Sequence, residues 1–276
     1  MRSSRLRLSA SVALVALCAL GVGGCKTTQT ATETTGSITA APRSDADWRQ
    51  VAESAGERYR KNPQDVDAAI RYAQALRATG QRSQAAAILQ QASLQNPRNM
   101  ALLGAYGRAL ADVGNHRQAL DVLSRAHTPE NPDWRILSVQ GAVLDQMGRH
   151  EEAQRYYNQA LNIVPDEPSV LSNLGLSYAL SKNLPKAEAT LKRASARPGA
   201  EPKVRQNLAL VVGLQGRYGE AETIARGDLS PEDAATNVAY LRQMLSQQKD
   251  AAGAKARVER RRKPEGVQST GLNLTD

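Results

Sequence analysis

One spacing recurs through the middle of the chain and limits what it can fold into. Ala85, Ala119, Ala153, Ala187 and Ala221 stand 34 residues apart. Ala92, Ala126, Ala160 and Ala194 keep the same step, as do Leu89, Leu123, Tyr157 and Leu191. Gly80, Gly114, Gly148 and Gly216 follow at intervals of 34, 34 and 68. A further slot of small residues runs Ala73, Gly107, Gly141, Gly175 and Ala209, and Pro63, Pro97, Pro132, Pro165 and Pro198 close most units with one-residue slips. Several slots sharing one register mean stacked copies of one supersecondary unit, none of which buries its apolar face alone. The absence of Phe and the presence of only two Trp suit thin layers of packed helices.

The spacing defines five units, 66–99, 100–133, 134–167, 168–201 and 202–235. The stretch "GRHEEAQRYYNQALNIVP", residues 148–165, shows the second half of one of them. Small residues at the eighth and twentieth positions sit where two helices cross, so a Leu at Ala153 overpacks the crossing by roughly 1–3 kcal/mol. Glycine at the fifteenth position ends the first helix in a left-handed turn. Large apolar residues at the seventh, eleventh and twenty-fourth positions fill the space between layers; in unit three these are Gln140, Leu144 and Tyr157, with Gln140 irregular. The closing proline ends the second helix.

Two units depart from the pattern. In unit four Lys182 replaces the turn glycine, Asn183 is expected to adopt the left-handed conformation in its place, and Pro185 falls in the first turn of the second helix, where it is tolerated. In unit five Ala225 and Asp228 replace a large and a small residue, which predicts a short second helix. Ser230, Pro231 and Asp233 start a capping helix over 231–248, with Ala234, Val238, Leu241 and Leu245 on its apolar face. A lone helix before unit one turns Trp48 and Val51 inward. Such caps are what a stack of repeats requires at its ends.

The 34-residue pattern resembles the tetratricopeptide repeat. The resemblance implies an all-α superhelix, an α-solenoid of about five helix pairs with N- and C-terminal capping helices, spanning 47–248. It also implies that first helices line the concave face through their second, fifth, ninth, twelfth and thirteenth positions. In units one to three these include Asp67, Gln74, Arg77, Arg108, Asp112, Arg135, Asp145 and Gln146, a polar wall of mixed sign. In units four and five they include Leu176, Leu180, Leu210 and Leu214, an apolar strip. That strip has two readings: a groove for an apolar helix or peptide of a partner, or leucines packed on the capping helix or on each other. Asn173 and Asn207, at the sixth position, match a common family residue and serve either a peptide backbone or a neighbouring turn. The Lys/Asn pattern with which some relatives grip a terminal carboxylate is absent; the fifth positions read Ile70, Gly104, Ser138, Ser172 and Gln206.

The formal net charge of +9 is unevenly spread. Arg2, Arg5 and Arg7 precede an apolar run, Val12–Val22, too short for the roughly 20 residues of a membrane span. Residues 1–24 therefore read as a signal peptide. Its end, Val22-Gly23-Gly24-Cys25, resembles the bacterial lipobox, which implies lipid attachment at Cys25; the alternative is an ordinary cleaved signal with a chance cysteine. The lipobox resemblance implies a diacylglycerol on the Cys25 thiol and a third acyl chain on the new amine, and two or more acyl chains give stable anchoring. Residues 25–46 are Thr-rich and form a flexible tether. Residues 249–276 are a basic tail without apolar periodicity, expected to be disordered past about Ala254, in which Arg260, Arg261, Arg262 and Lys263 either touch anionic headgroups or an acidic partner or are simply solvated. The only other cysteine is Cys18, so neither a disulfide nor a zinc site is expected in the body.

No nucleophile motif and no phosphate loop is present. His116 and His150 share one position just after the turn glycine, which belongs to the repeat rather than to catalysis. Neither an enzyme nor a cofactor, metal, nucleic-acid or small-molecule site is expected. The segments "GAVLDQMGRHEEAQRYYNQALNIVPDEPSVLSNLGLSYALSKNLPKAEATLKRA", "VRQNLALVVGLQGRYGEAE" and "NVAYLRQML" resemble the TadD-type lipoproteins of the tight-adherence (Flp) pilus system over roughly residues 45–248. That resemblance implies a periplasm-facing outer-membrane lipoprotein that helps localise or assemble the secretin channel. Lys26 after the cysteine agrees with outer-membrane sorting. The alternatives are a general envelope adaptor for peptidoglycan enzymes and a regulatory subunit of a catalytic partner.

Overall fold

A computed structural model of the chain describes residues 44–262. The expected signal peptide, Cys25, most of the tether and the tail from Lys263 onward lie outside the described residues. Twelve helices follow one another: α1 (Asp45–Lys61), α2 (Val66–Ala78), α3 (Arg82–Gln95), α4 (Met100–Asp112), α5 (His116–Ser124), α6 (Trp134–Gln146), α7 (His150–Ile163), α8 (Pro168–Leu180), α9 (Leu184–Ser195), α10 (Pro202–Leu214), α11 (Tyr218–Ala225) and α12 (Pro231–Arg262). From α2 to α11 they pair as the expected five units of an α-solenoid.

The small-residue slots set the crossing distance. A Cβ added at Gly107 would lie 2.5 Å from Leu123 Cγ, at Gly141 2.7 Å from the Tyr157 ring, and at Gly175 2.6 Å from Leu191 Cγ. The partner is each time the twenty-fourth residue of the same unit. Ala85, Ala119, Ala153, Ala187 and Ala221 are all completely buried. The first helix therefore gives up its side chain so that one large residue of the second can lie against bare backbone.

The turn glycines behave as expected. Gly80, Gly114, Gly148 and Gly216 have φ between +76° and +85°. In unit four the sequence expectation is corrected. Lys182 itself takes the left-handed conformation, at φ +65°, while Asn183 stays at φ −92° and accepts the Lys186 N–H as the N-cap of α9. The reason is competition: Asn183 satisfies an orphan amide of the next helix, a role its short carboxamide fills and lysine cannot. Pro185 stands in the first turn of α9.

Second helices vary where the pattern weakens. α11 ends at Ala225, and Asp228 beyond it receives the Arg205 guanidinium through Nε at 2.8 Å. α5 ends at Ser124, and a loop with Pro129 and Pro132 fills the space up to α6.

Rows of helices define the curvature. Each first helix touches its counterpart in the next unit, α2 on α4, α4 on α6, α6 on α8 and α8 on α10, whereas the backbones of successive second helices do not approach one another in this way among the described residues. The first helices thus form the inner, concave row. α12 extends this row by packing on α10 and α11, laying Leu241 over Gly213. α1 covers α2, with Ala55 and Gly56 buried most deeply; Trp48 and Val51 are only half-buried. α12 continues past residue 248, where the cap was expected to end, to Arg262. No proline interrupts it before Pro264, and its residues are mostly good helix formers. Arg260, Arg261 and Arg262 fall in its last turn.

Charged contacts knit the later units. Glu188 on α9 accepts from Arg217 (2.8 and 2.9 Å), Gln215 (2.8 Å) and Lys192 (2.7 Å), which ties α9 to the turn between α10 and α11. Arg217, then Lys192 and Gln215, hold its carboxyl down to about 2.

Three outcomes follow from this packing. Gly107→Val lowers the unfolding free energy by about 1–3 kcal/mol in urea denaturation, because the added side chain overlaps Leu123. Lys182→Gly raises it by about 1 kcal/mol by relieving the left-handed lysine. Glu188→Gln lowers it by about 1 kcal/mol at pH 7, a small figure because Arg217 and Lys192 are partly solvated. Since folding depresses the Glu188 pKa, this contribution is complete above the ordinary carboxylate range and fades as pH falls toward about 2. The loss in Glu188→Gln accordingly shrinks between pH 5 and pH 2.

Candidate binding groove

The inner row changes character along its length. On α2, α4 and α6 the groove positions carry Gln74, Arg77, Arg108, Asp112 and Arg135. Here α2, α4, α6 and the loop after α5 enclose a cavity of about 390 Å³. Its lining includes Ile70, Arg77, Met100, Arg108, His127 and Arg135. Gly104 contributes to the floor, and the Ile136 side chain lies 2.6 Å from where a Cβ would stand. A side chain there would displace Ile136 and close the space.

The charges around the cavity are unequally compensated. Arg77 forms an ion pair with Asp112 across the α2–α4 boundary. Asp133 accepts the Arg135 backbone N–H at 2.7 Å and so caps α6. The Arg135 guanidinium lies over the Trp134 ring at 4.4 Å, a cation–π contact. Arg108 is half-buried and has neither a hydrogen-bond nor an ion-pair partner among the described residues; its Nε is fully buried. Burial pushes the Arg108 guanidinium below its ordinary value. Arg77 and Arg135 reinforce that shift, and Asp133 and Asp112 oppose it. His127 Nε2 lies 3.3 Å from Gln140 Oε1, which explains the polar residue at an otherwise apolar position, and His127 Nδ1 is buried without a partner.

Farther along, the expected leucine strip occupies α8 and α10. Leu176, Leu180, Leu210 and Leu214 are all half-buried. Asn173 Nδ2 donates to Ser138 Oγ at 3.2 Å, and Asn207 Nδ2 donates to Ser172 Oγ at 3.0 Å. Each asparagine thus joins its own first helix to the fifth position of the preceding one. Asp145, read from the spacing as part of the polar wall, instead lies between units three and four. It accepts from Tyr157 (3.1 Å) and Ser177 (2.8 Å) and lies 2.8 Å from His150 Nδ1. Burial pushes its carboxyl up, against these hydrogen bonds. In unit two the residue equivalent to Asp145 is Ala111, so His116 lacks this contact.

Among the described residues no group of His, Cys, Asp and Glu is arranged to hold a metal ion, and no helix is long and apolar enough to cross a membrane. The arrangement offers hydrogen-bond donors, positive charge and a flanking apolar strip along one curved wall.

A family model for the tetratricopeptide repeat matches residues 135–197. The fold is a tetratricopeptide-repeat solenoid. A second family model, described as anaphase-promoting complex, cyclosome, subunit 3, matches residues 50–126. Among solved structures, PilW, a widely conserved type IV pilus biogenesis factor, is 16% identical, with a TM-score of 0.60 over 70% of this chain and 91% of its own. A tetratricopeptide repeat protein from Parabacteroides merdae is 15% identical, with a TM-score of 0.55 over 74% of this chain and 81% of its own. The Cut9–Hcn1 hetero-tetramer of the APC/C is 15% identical, with a TM-score of 0.56 over 71% of this chain; the match spans only 40% of that chain. No curated protein matches the sequence. These structural likenesses concern the fold. In tetratricopeptide-repeat terms, the arginine cavity spans the concave side of repeats one to three and the leucines that of repeats four and five.

The asparagine bridges have a measurable consequence. Asn207→Ala leaves the buried Ser172 hydroxyl without its donor and lowers the unfolding free energy by about 1–2 kcal/mol in urea denaturation.

Proposed function

We infer that this chain is a non-enzymatic scaffold, lipid-anchored at the periplasmic face of the outer membrane, that holds a protein partner in its concave face during assembly of the Flp pilus machinery. The observation that carries the binding part is the inner row itself. It presents the unpaired Arg108 donor and half-buried leucines on one curved wall, the form in which helical repeats recognise extended or helical segments. The anchoring part rests on Cys25 at the end of a short apolar signal, followed by a tether that lets the body reach a partner near the membrane. The pilus part rests on the resemblance of residues 45–248 to TadD-type lipoproteins, and a type IV pilus biogenesis factor uses the same fold. The partner in this reading is the pilus secretin or another component of the same machinery.

Deleting the gene in its native host is expected to abolish surface pili, counted by electron microscopy, with cell shape unchanged. Altered cell shape with normal pili sinks the pilus reading and favours an adaptor for peptidoglycan enzymes. In a pull-down from envelope extract, the double variant Leu176→Asp plus Leu210→Asp, verified as folded by circular dichroism, is expected to recover at least tenfold less of the partner.

A further inference from the structure

The arginine cavity holds more positive charge than its own carboxylates offset. Arg77, Arg108 and Arg135 line it, and Asp133 lines it with them, while Asp112 pairs with Arg77. Three guanidiniums against two carboxylates leave one uncompensated charge, and that charge sits on Arg108, the one of the three whose buried Nε has no acceptor. An unpaired buried cationic donor weakens a folded protein. A ligand that accepts from it would remove the penalty.

The shape and charge of the site narrow that ligand. A guanidinium offers a planar fork suited to two carboxylate oxygens. One surplus positive charge matches one carboxylate better than a doubly charged phosphate. Gln74, His127 and Asn131 add neutral polar groups to the lining, and Ile70, Ile136 and the exposed Met100 add an apolar part beside the arginines, which suits a carboxylate carried between apolar side chains. The cavity opens on the groove wall between three successive first helices, which suits a side chain entering from a segment laid along the groove.

We propose that this cavity is a subsite for an aspartate or glutamate side chain of a protein partner, with its carboxylate on Arg108 and its neighbouring apolar side chains on Met100 and Ile70. The proposal rests on the scaffold reading insofar as the occupant belongs to a partner protein. It uses ninth-, twelfth- and second-position arginines, not a fifth-position Lys/Asn pair.

The test uses the full-length chain and two fluorescein-labelled peptides with amidated C-termini, Leu-Glu-Leu-Glu-Leu and its glutamine counterpart. Fluorescence anisotropy is expected to show the glutamate peptide binding at least tenfold more tightly. Arg108→Gln is expected to remove that preference, while Arg193→Gln, which deletes a distant arginine, retains it. In the ligand-free chain Arg108→Met is expected to raise Tm, because an unpaired charge gives way to an apolar side chain of similar length. Equal binding of the two peptides overturns the proposal. So does an unchanged preference in folded Arg108→Gln, a lower Tm in Arg108→Met, displacement of the glutamate peptide by millimolar inorganic phosphate, or binding only when the peptide carries a free C-terminal carboxylate. Loss of pili on gene deletion together with equal peptide binding overturns this subsite alone and leaves the scaffold reading in place.

Discussion

The solenoid depends on a missing side chain. Where Gly107, Gly141 and Gly175 cross the second helix of their unit, Leu123, Tyr157 and Leu191 come closer than any Cβ allows. That approach sets the separation within each pair, and the pair geometry sets how the next unit stacks. Because the contact repeats at a fixed period, the curvature of the whole stack is the sum of small steps. Apolar burial supplies the driving force, but the small residues decide which of many compact helical arrangements receives it.

Much of this was legible because periodic packing leaves a periodic trace. Glycine at the fifteenth position needs no tertiary context to be read as a left-handed turn, and the buried alanines announce themselves by recurring. What the period does not carry arises where two parts of the chain meet without a shared spacing. Lys182 adopts the strained turn because Asn183 is engaged as a cap, a competition between adjacent residues that a slot-by-slot reading assigns the wrong way round. The length of α12 depends on the absence of a stop before Pro264, a weaker signal than the presence of one.

The site shows the same division. Arg108 and Arg135 stand at positions that the repeat resemblance assigns to the concave face, and both line the cavity. The cavity itself was not legible, because it also needs His127 and Asp133 from a loop that exists only where α5 ends early. The irregular second unit, with Pro129 and Pro132, carries the trace in hindsight. Asp145 failed in the opposite sense: its position pointed to the groove, but Tyr157 and Ser177 hold it inside. Polar side chains at equivalent positions follow their local donors, whereas apolar ones follow the period.

The two rows of helices differ in a way that governs how the body can flex. Along the concave side neighbours already touch, and close-packed groups resist compression. Along the convex side they stand apart. Curling tighter would drive the inner row into itself, while straightening pivots on those contacts and meets no second-helix neighbour, only the packing of each second helix on the next first helix. The stack is therefore a one-way spring, stiff against pinching an occupant and compliant toward widening for a thicker one.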